Sequence, residues 1–282
     1  MKRQKLDRLK ISKTISAIEN RDEKALKDLS RFFGSDSLKR TVCFTGPAGV
    51  GKSTLISTLM PKAVEKMSVA WLACDPSSPQ SGGSLLGDRI RISGKDLSDR
   101  AYIRSMSTRG TQAFSQSIRD VEIYCEKFFD QVWVETAGSG QTQSEVAQIS
   151  AVTVLILQPE TGDEIQWMKA GVRELADLYF IHKSDLRGVE AMEHSLMEQG
   201  VPLERIVRCS SKTQEGMDEA LERLFAFQKS MPWKARKIAL HEQLARALFI
   251  ERGQRGLLKA FEAQKRALIA NPYGSSSKSM KS

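Results

Sequence analysis

The chain has 282 residues, a net charge of +9 and 40% hydrophobic residues. This length accommodates one large α/β domain with additions, or two small domains, and the composition is ordinary for a globular protein. The absence of any run of about 18 apolar residues argues against a membrane-spanning helix. The charged N-terminal stretch also lacks the apolar core of a signal peptide. We therefore expect a cytoplasmic protein without a membrane segment.

Residues 1–39 carry apolar side chains at helical spacing, including Ile11, Ile15 and Ile18, and predict an N-terminal helical extension. In residues 40–228, short apolar runs alternate with helical stretches, which predicts an α/β domain with a mainly parallel sheet covered on both faces. The predicted strands are 41–45, 69–74, 102–104, 132–134, 152–157, 178–181 and 206–209. Residues 229–282 predict a helical C-terminal extension that ends in a low-complexity, disordered tail.

The positive charge is concentrated in this C-terminal extension. Residues 229–282 contain twelve Lys or Arg and three Asp or Glu, which accounts for the net charge of the whole chain. A basic helix can contact nucleic acid or an acidic partner, although a solvated helix face is the more common explanation. The absence of interleaved aromatic residues and of an RNA-binding motif argues against nucleic acid.

Cysteine and histidine residues are scattered along the chain. The four cysteines are Cys43, Cys74, Cys125 and Cys209, and three of them lie in or at the end of apolar runs, which predicts buried free thiols in a reducing compartment. Neither they nor the three histidines have the spacing of a zinc or nickel ligand set.

The most specific motif is a complete G-x-x-x-x-G-K-[ST] match in residues 46–53, between the predicted strand 41–45 and a helical run that begins at Thr54. In this arrangement backbone N–H groups surround a phosphate at a helix N-terminus. We expect Lys52 to reach the β- and γ-phosphates and the Ser53 hydroxyl to bind Mg²⁺. The predicted nucleotide-binding residues of this loop are Gly46, Pro47, Ala48, Gly49, Val50, Gly51, Lys52, Ser53 and Thr54.

Two acidic residues follow predicted strands that can flank this loop. Asp75 follows residues 69–74, and Glu135 follows residues 132–134. A carboxylate at the carboxyl end of a parallel strand faces the ligand crevice, where it can hold the water shell of a metal ion. Residues 135–138 spell E-x-x-G, in which the Gly138 amide can donate to the γ-phosphate. Either acid taken alone is also compatible with a solvated loop.

Further motifs resemble the methylmalonyl-CoA mutase-associated GTPases of the MeaB/ArgK type, over about residues 10 to 225. The strings that carry the resemblance are DPSSP at 75–79, GGSLLGDRIR at 82–91, IRSM at 103–106, TRG at 108–110, VETAGSGQ at 134–141, GDEIQ at 162–166 and KAG at 169–171. The first two strings are specific, whereas the P-loop alone occurs in many families.

The resemblance implies a GTPase that acts as a chaperone of a cobalamin-dependent acyl-CoA mutase, gates cofactor loading and protects the mutase. It implies GTP or GDP with Mg²⁺ as ligands, and it assigns Ser53, Asp75 and Glu135 to the metal site. Lys52, Asp75, Asp88 and Glu135 are the implied catalytic residues, with Asp88 as a switch residue that is alternatively a helix N-cap. A homodimer is also expected.

The guanine-reading motif N-K-x-D of this family corresponds to His182-Lys183-Ser184-Asp185 here. Asp185 can accept from the guanine N1–H and 2-amino groups, and the Lys183 stem can cover the ring. His182 replaces an Asn that normally braces the site, so weaker guanine selectivity is one expectation. Residues 209–212 correspond to a second base-contacting loop, in which we assign Ser210, Ser211 and Lys212 to nucleotide binding.

Three rival functions stay open from the sequence: a metal-delivery GTPase of the same class, a kinase, and a nucleotide-dependent interaction module with negligible hydrolysis. The missing Cys/His cluster argues against metal delivery. Arg104 and Arg109 are candidate arginine fingers, with a structural or solvated role as the alternative. A departure from the family at Thr142-Gln143 puts nucleotide-dependent contacts of that segment in doubt.

Overall fold

The computed structural model of the protein describes residues 7–30, 40–75, 99–107, 111–136, 150–159 and 176–231. Its strands are β1 Thr41–Thr45, β2 Val69–Asp75, β3 Ala101–Ser107, β4 Gln131–Glu135, β5 Val152–Leu157, β6 Leu178–His182 and β7 Ile206–Cys209. Its α-helices are α1 Arg8–Glu19, α2 Glu23–Ser30, α3 Lys52–Val64, α4 Thr111–Cys125, α5 Val189–Glu198 and α6 Met217–Ser230. All seven predicted strands are confirmed, with ends that differ by a few residues.

The seven strands form one sheet in the order β3-β2-β4-β1-β5-β6-β7, and every pairing is parallel. All residues of β1, β5 and β6 are buried, as expected of a parallel sheet that helices cover on both faces. Trp133 on β4 packs edge-on against Phe44 on β1, with ring centroids 5.5 Å apart. The predicted α/β class with a parallel sheet is confirmed.

The strand order determines where a ligand can bind. After β3 the chain returns to place β4 between β2 and β1, and β5 then lies on the opposite side of β1. The direction of strand addition therefore reverses around β1, and such a switch point opens a crevice at the carboxyl ends of the strands. The glycine-rich loop leaves β1 at this edge of the sheet.

The first two helices pack against α4, and α1 also contacts the border strand β3. Helix α1 begins at the N-cap Asp7, whose side chain accepts from the Lys10 amide, and it buries Ile11, Ile15 and Ile18. The Arg8 guanidinium donates to the Ala101 carbonyl of β3 at 2.9 Å. Between α1 and α2, Arg21 forms an ion pair of 2.6 Å with the buried Asp120 of α4.

Arg104 belongs to this packing. It lies in the middle of β3, and its guanidinium donates to Ser12, Ser16 and Glu19 of α1. An arginine finger has to reach a phosphate at the carboxyl edge of the sheet, so the proposed finger role of Arg104 is wrong. The other candidate, Arg109, lies outside the described residues, as does nearly all of the predicted C-terminal extension.

The four cysteines are buried thiols, as predicted. No helix within the described ranges is long and apolar enough to cross a membrane. In the same ranges, no group of three or more His, Cys, Asp or Glu side chains is arranged to hold a metal ion.

The interior of the fold also contains the carboxyl group of Glu122, which lies beside Ser150 just before β5 and away from the carboxyl edge of the sheet. Glu122 of α4 is fully buried and accepts from the Ser150 hydroxyl at 3.1 Å, and its second oxygen has no hydrogen-bond partner among the described residues. Burial raises the pKa of Glu122 to about 8, although the Ser150 hydrogen bond opposes this shift. The group is therefore protonated in the folded protein at neutral pH.

The raised pKa of Glu122 makes the free energy of unfolding depend on pH. Between the ordinary carboxyl pKa of 4.5 and the folded value of about 8, the folded state binds more protons than the unfolded state. The free energy of unfolding should therefore fall with rising pH across this window, by at most about 1.4 kcal/mol per pH unit. Glu122→Gln mimics the protonated form and should lose this dependence in urea denaturation. The exposed Glu222→Gln on α6 should keep it, and parallel profiles for Glu122→Gln and the wild type would contradict the assignment.

Candidate functional site: a phosphate loop joined to a base-reading loop

The glycine loop between β1 and α3 approaches the neighbouring elements too closely for side chains at two positions. A Cβ at Gly46 would lie 2.2 Å from the Ile156 carbonyl oxygen of β5. A Cβ at Gly51 would lie 2.8 Å from the His182 ring, and Gly51 also has φ +88°, a conformation that favours glycine. Both glycines of the predicted motif are therefore required by the geometry of the loop.

Lys52 begins α3 and lies inside the loop. Its ammonium group donates to the carbonyl oxygens of Gly46 and Pro47, at 2.8 Å each, and the residue is only 7% exposed. Burial lowers the pKa of Lys52, and the charge of Glu135 opposes that shift. A cation held at a helix N-terminus among backbone amides is the arrangement that binds phosphate oxygens.

Ser53 and Glu135 are in direct contact, although 82 residues separate them. The Ser53 hydroxyl donates to Glu135 Oε1 at 2.5 Å, and Glu135 is buried at the end of β4. This contact follows from the pairing of β4 with β1, which places Glu135 beside Phe44. Because the hydroxyl donates its hydrogen bond to the carboxylate, its oxygen lone pairs point elsewhere and can bind a cation.

Other predicted residues of this region differ in how far the structure describes them. The backbone of Asp75 ends β2 beside Ser107 of β3. Glu135 ends β4, which flanks β1 as predicted, whereas β2 lies beyond β4 and does not flank the strand that leads into the loop. Asp88 and Gly138 lie outside the described residues. Thr54 and Ala48 are exposed on α3 and on the loop.

Residues 182–185, which the sequence predicts to read the base and which we call the base-reading loop, begin at the end of β6 and reach back to the glycine loop. Lys183 has φ +59°, which is uncommon for a residue with a side chain. Its ammonium group donates to the Gly49 carbonyl at 3.0 Å and to Gln158 Oε1 at 2.5 Å. Gln158 was not among the predicted site residues, and its position directly after β5 is the signal that could have indicated it.

Asp185 is oriented by the loop that follows β7. The Ser210 hydroxyl donates to Asp185 Oδ1 at 2.6 Å, and Lys212 Nζ lies 3.5 Å from Oδ2. The Ser210 hydrogen bond, with help from Lys212, lowers the pKa of Asp185, so the carboxylate is ionised and accepts only. The two loops that were predicted to contact the base therefore lie together.

His182 occupies the space between these loops. The residue is 2% exposed, and its ring has Nδ1 at 2.8 Å from the Val50 carbonyl and Nε2 at 2.9 Å from the Ser211 hydroxyl. A carbonyl only accepts, so Nδ1 carries the proton and the neutral ring accepts at Nε2 from Ser211. Burial lowers the pKa of His182, which favours this neutral form.

The sequence that forms this site matches a known family. The family model of the methylmalonyl Co-A mutase-associated GTPase MeaB matches residues 11–264, which is most of the chain. The chain belongs to this family. The match confirms the resemblance inferred from the sequence motifs.

Relatives and solved structures agree with this assignment. The chain is 37% identical over 192 residues to a protein of Pyrococcus abyssi named as a GTPase, a match that covers 66% of this chain and 58% of that protein. It is 35% identical over 206 residues to the mouse mitochondrial methylmalonic aciduria type A homologue, covering 67% and 49% respectively. The chain therefore spans about half the length of the curated relatives it matches.

The fold also resembles two solved structures. A LAO/AO transport system kinase has a TM-score of 0.59 at 22% identity, covering 97% of this chain and 95% of that one. HypB from Helicobacter pylori in complex with nickel has a TM-score of 0.51 at 15% identity, covering 78% and 95%. At these identities the likeness establishes the P-loop fold alone.

Proposed function

We propose that this chain binds GTP, hydrolyses it with Mg²⁺, and uses the two nucleotide states to act as a chaperone of a cobalamin-dependent acyl-CoA mutase. The observation that carries the proposal is the direct contact between the phosphate loop and the base-reading loop, through Lys183 and the Gly49 carbonyl. This contact supports one continuous site in which Lys52 would bind phosphate and the Asp185 carboxylate would read the base. A phosphate loop alone would not select a base.

Guanine recognition rests on Asp185. An ionised carboxylate with two oxygens can accept from two neighbouring donors, and guanine presents its N1–H and 2-amino groups in that pattern. Adenine presents an acceptor at N1, which the carboxylate would repel. Ser210 and Lys212 hold the carboxylate in place from the second loop, so the orientation does not depend on Asp185 alone.

The donor set beside the phosphate loop fits Mg²⁺. The ion prefers oxygen ligands, keeps several waters and takes few protein ligands. Ser53 would supply its hydroxyl oxygen, and Glu135, with Asp75 on the adjacent strand, would hold waters of the ion. When bound, the metal neutralises the charge that develops on the transferred phosphoryl group. The Lys52 ammonium group would stabilise the same negative charge from inside the loop.

The proposed mutase partner is suggested by the family to which the chain belongs. Members are described as associated with methylmalonyl-CoA mutase, and the mouse relative is named for methylmalonic aciduria. A switch needs two states that differ in their affinity for a partner. We expect homodimerisation in this role as well. The metal-delivery alternative draws only on the fold shared with HypB, and no described residue favours a kinase.

The first test concerns base selection. Asp185→Asn replaces one acceptor oxygen by a donor, so guanine loses a matched partner and its affinity should fall about tenfold or more. Xanthine carries an oxygen where guanine carries the amino group. The affinity of the variant for xanthosine triphosphate should therefore rise relative to its affinity for GTP. Calorimetric titration of GTP, ATP and xanthosine triphosphate measures this change. Equal affinity of the wild type for ATP and GTP would contradict the guanine assignment.

A second test concerns the metal site. Glu135→Gln keeps the Ser53 contact but removes the charge, and it should lower Mg²⁺-dependent GTP turnover at least about tenfold while changing GDP affinity little. Asp75→Asn should act in the same direction. Turnover measured against Mg²⁺ concentration separates the variants from the wild type. Superimposable curves for all three proteins would show that the metal lies elsewhere.

The client proposal is tested by capture of a purified cobalamin-dependent acyl-CoA mutase on the immobilised chain. Retention should differ between GDP and a non-hydrolysable GTP analogue, because the two nucleotide states must differ in affinity for a regulated partner. Lys52→Ala, which removes a phosphate contact, should abolish the difference. Equal retention in both states, or no retention in either, would refute the chaperone role. The proposal that the chain binds GTP would still stand.

A further inference from the structure

Gln158 is the first residue after β5, and its side chain contacts the base-reading loop. Its amide oxygen Oε1 accepts from the Lys183 ammonium group at 2.5 Å, and the Gly49 carbonyl accepts from the same group at 3.0 Å. An ammonium group only donates, so the oxygen rather than the nitrogen of the amide must face it. The pairing of β5 with β6, which sets Leu157 opposite Ile181, brings the two side chains together. The contact is therefore a consequence of the sheet and not of a local motif.

The Lys183 side chain is held at both ends. Its backbone has φ +59°, and its ammonium group lies between two acceptors. Between these ends the stem runs beside the phosphate loop, since a Cβ at Gly51 would lie 3.7 Å from Lys183 Cε. A lysine side chain loses much rotamer freedom when it is ordered, so the hydrogen bonds at its tip determine whether the stem keeps one path. Gln158 supplies one of these two bonds.

Both acceptors of the Lys183 ammonium group are uncharged. The Gly49 carbonyl and the Gln158 amide accept its hydrogen bonds without neutralising its charge. A carboxylate at position 158 would accept the same hydrogen bond, but it would also place a negative charge beside the phosphate loop. That charge would repel the phosphates of a nucleotide. An uncharged acceptor therefore orders Lys183 and leaves its positive charge to act on an anionic ligand.

We propose that Gln158 is a positioning residue of the nucleotide site. It fixes the Lys183 ammonium group, so that the stem stays where it can cover a base, and its lack of charge avoids repulsion of the phosphates. The inference rests on the proposed GTP binding. It deepens that proposal by naming a residue outside the motifs of the site on which nucleotide affinity depends.

Four substitutions separate the hydrogen bond from the charge. Gln158→Met keeps about the same side-chain length and removes the acceptor, whereas Gln158→Glu keeps an acceptor oxygen and adds a charge. Lys183→Met removes the donor of the contact. Gln199→Met, at the end of α5 and outside the site, makes the same chemical change as Gln158→Met and serves as the matched control.

The test is calorimetric titration of the full chain with GDP and with a non-hydrolysable GTP analogue, at about 0.05 M and about 0.5 M salt. Gln158→Met should weaken GDP binding about threefold to tenfold at both salt concentrations, which is the effect of one hydrogen bond. Added to Lys183→Met, it should cause no further loss, because the contact is then already absent. Gln199→Met should bind as the wild type does.

Gln158→Glu should respond to salt in a way that a merely structural role would not produce. At low salt its affinity relative to the wild type should fall more for the GTP analogue than for GDP, because the analogue carries more negative charge. At high salt this deficit should shrink, because the ions screen the repulsion.

The outcomes separate this inference from the proposed function. A Gln158→Met protein that binds GDP as the Gln199→Met control does, or a loss that adds in full to that of Lys183→Met, would overturn the positioning role. A Gln158→Glu protein with a salt-independent deficit would overturn the role of the missing charge. If Gln158→Met does not fold, the salt dependence of Gln158→Glu still decides. A wild type that binds no guanine nucleotide would refute the proposed function itself.

Discussion

The site depends on a steric constraint: the glycine loop lies so close to its neighbours that no side chain fits at Gly46 or Gly51. At Gly46 the neighbour is the backbone of β5, which cannot move without disturbing the sheet. At Gly51 it is the His182 ring. These close approaches bring the phosphate loop against both β5 and the end of β6. The base-reading residues are within reach of the loop only because of that proximity.

Electrostatics then determines what the loop can bind. Lys52 and Glu135 are both buried, and the charge of Glu135 partly offsets the desolvation of the lysine. A buried cation surrounded by backbone dipoles attracts anionic oxygens, and a buried carboxylate bonded to a hydroxyl attracts a divalent cation. The two charges therefore match the two components of the metal–triphosphate ligand that we propose. Neither would be as effective in water, where each is screened.

The N-terminal helices contribute to the same framework at the border of the sheet that β3 forms. Arg8, Arg21 and Arg104 connect α1 and the turn after it to β3 and α4. The border strand of a sheet exposes unpaired backbone groups, and a covering helix protects them. The same packing explains why Arg104, a polar residue on a strand, is directed to α1 and is unavailable to the nucleotide.

The sequence by itself determined the seven strands, the phosphate loop, the acidic residues at strand ends and the family. Strand periodicity and the spacing of the P-loop residues are local, so they can be read without the fold. Only the tertiary structure decided the insertion of β4 between β2 and β1, the Ser53–Glu135 contact, the Gln158 contact and the two-sided bridge of His182. Each of these joins segments distant in the chain, and the packing of parallel strands, rather than any local pattern, brings them together. The orientation of Arg104 was likewise decided by α1, because a residue type alone does not specify which neighbour it will face.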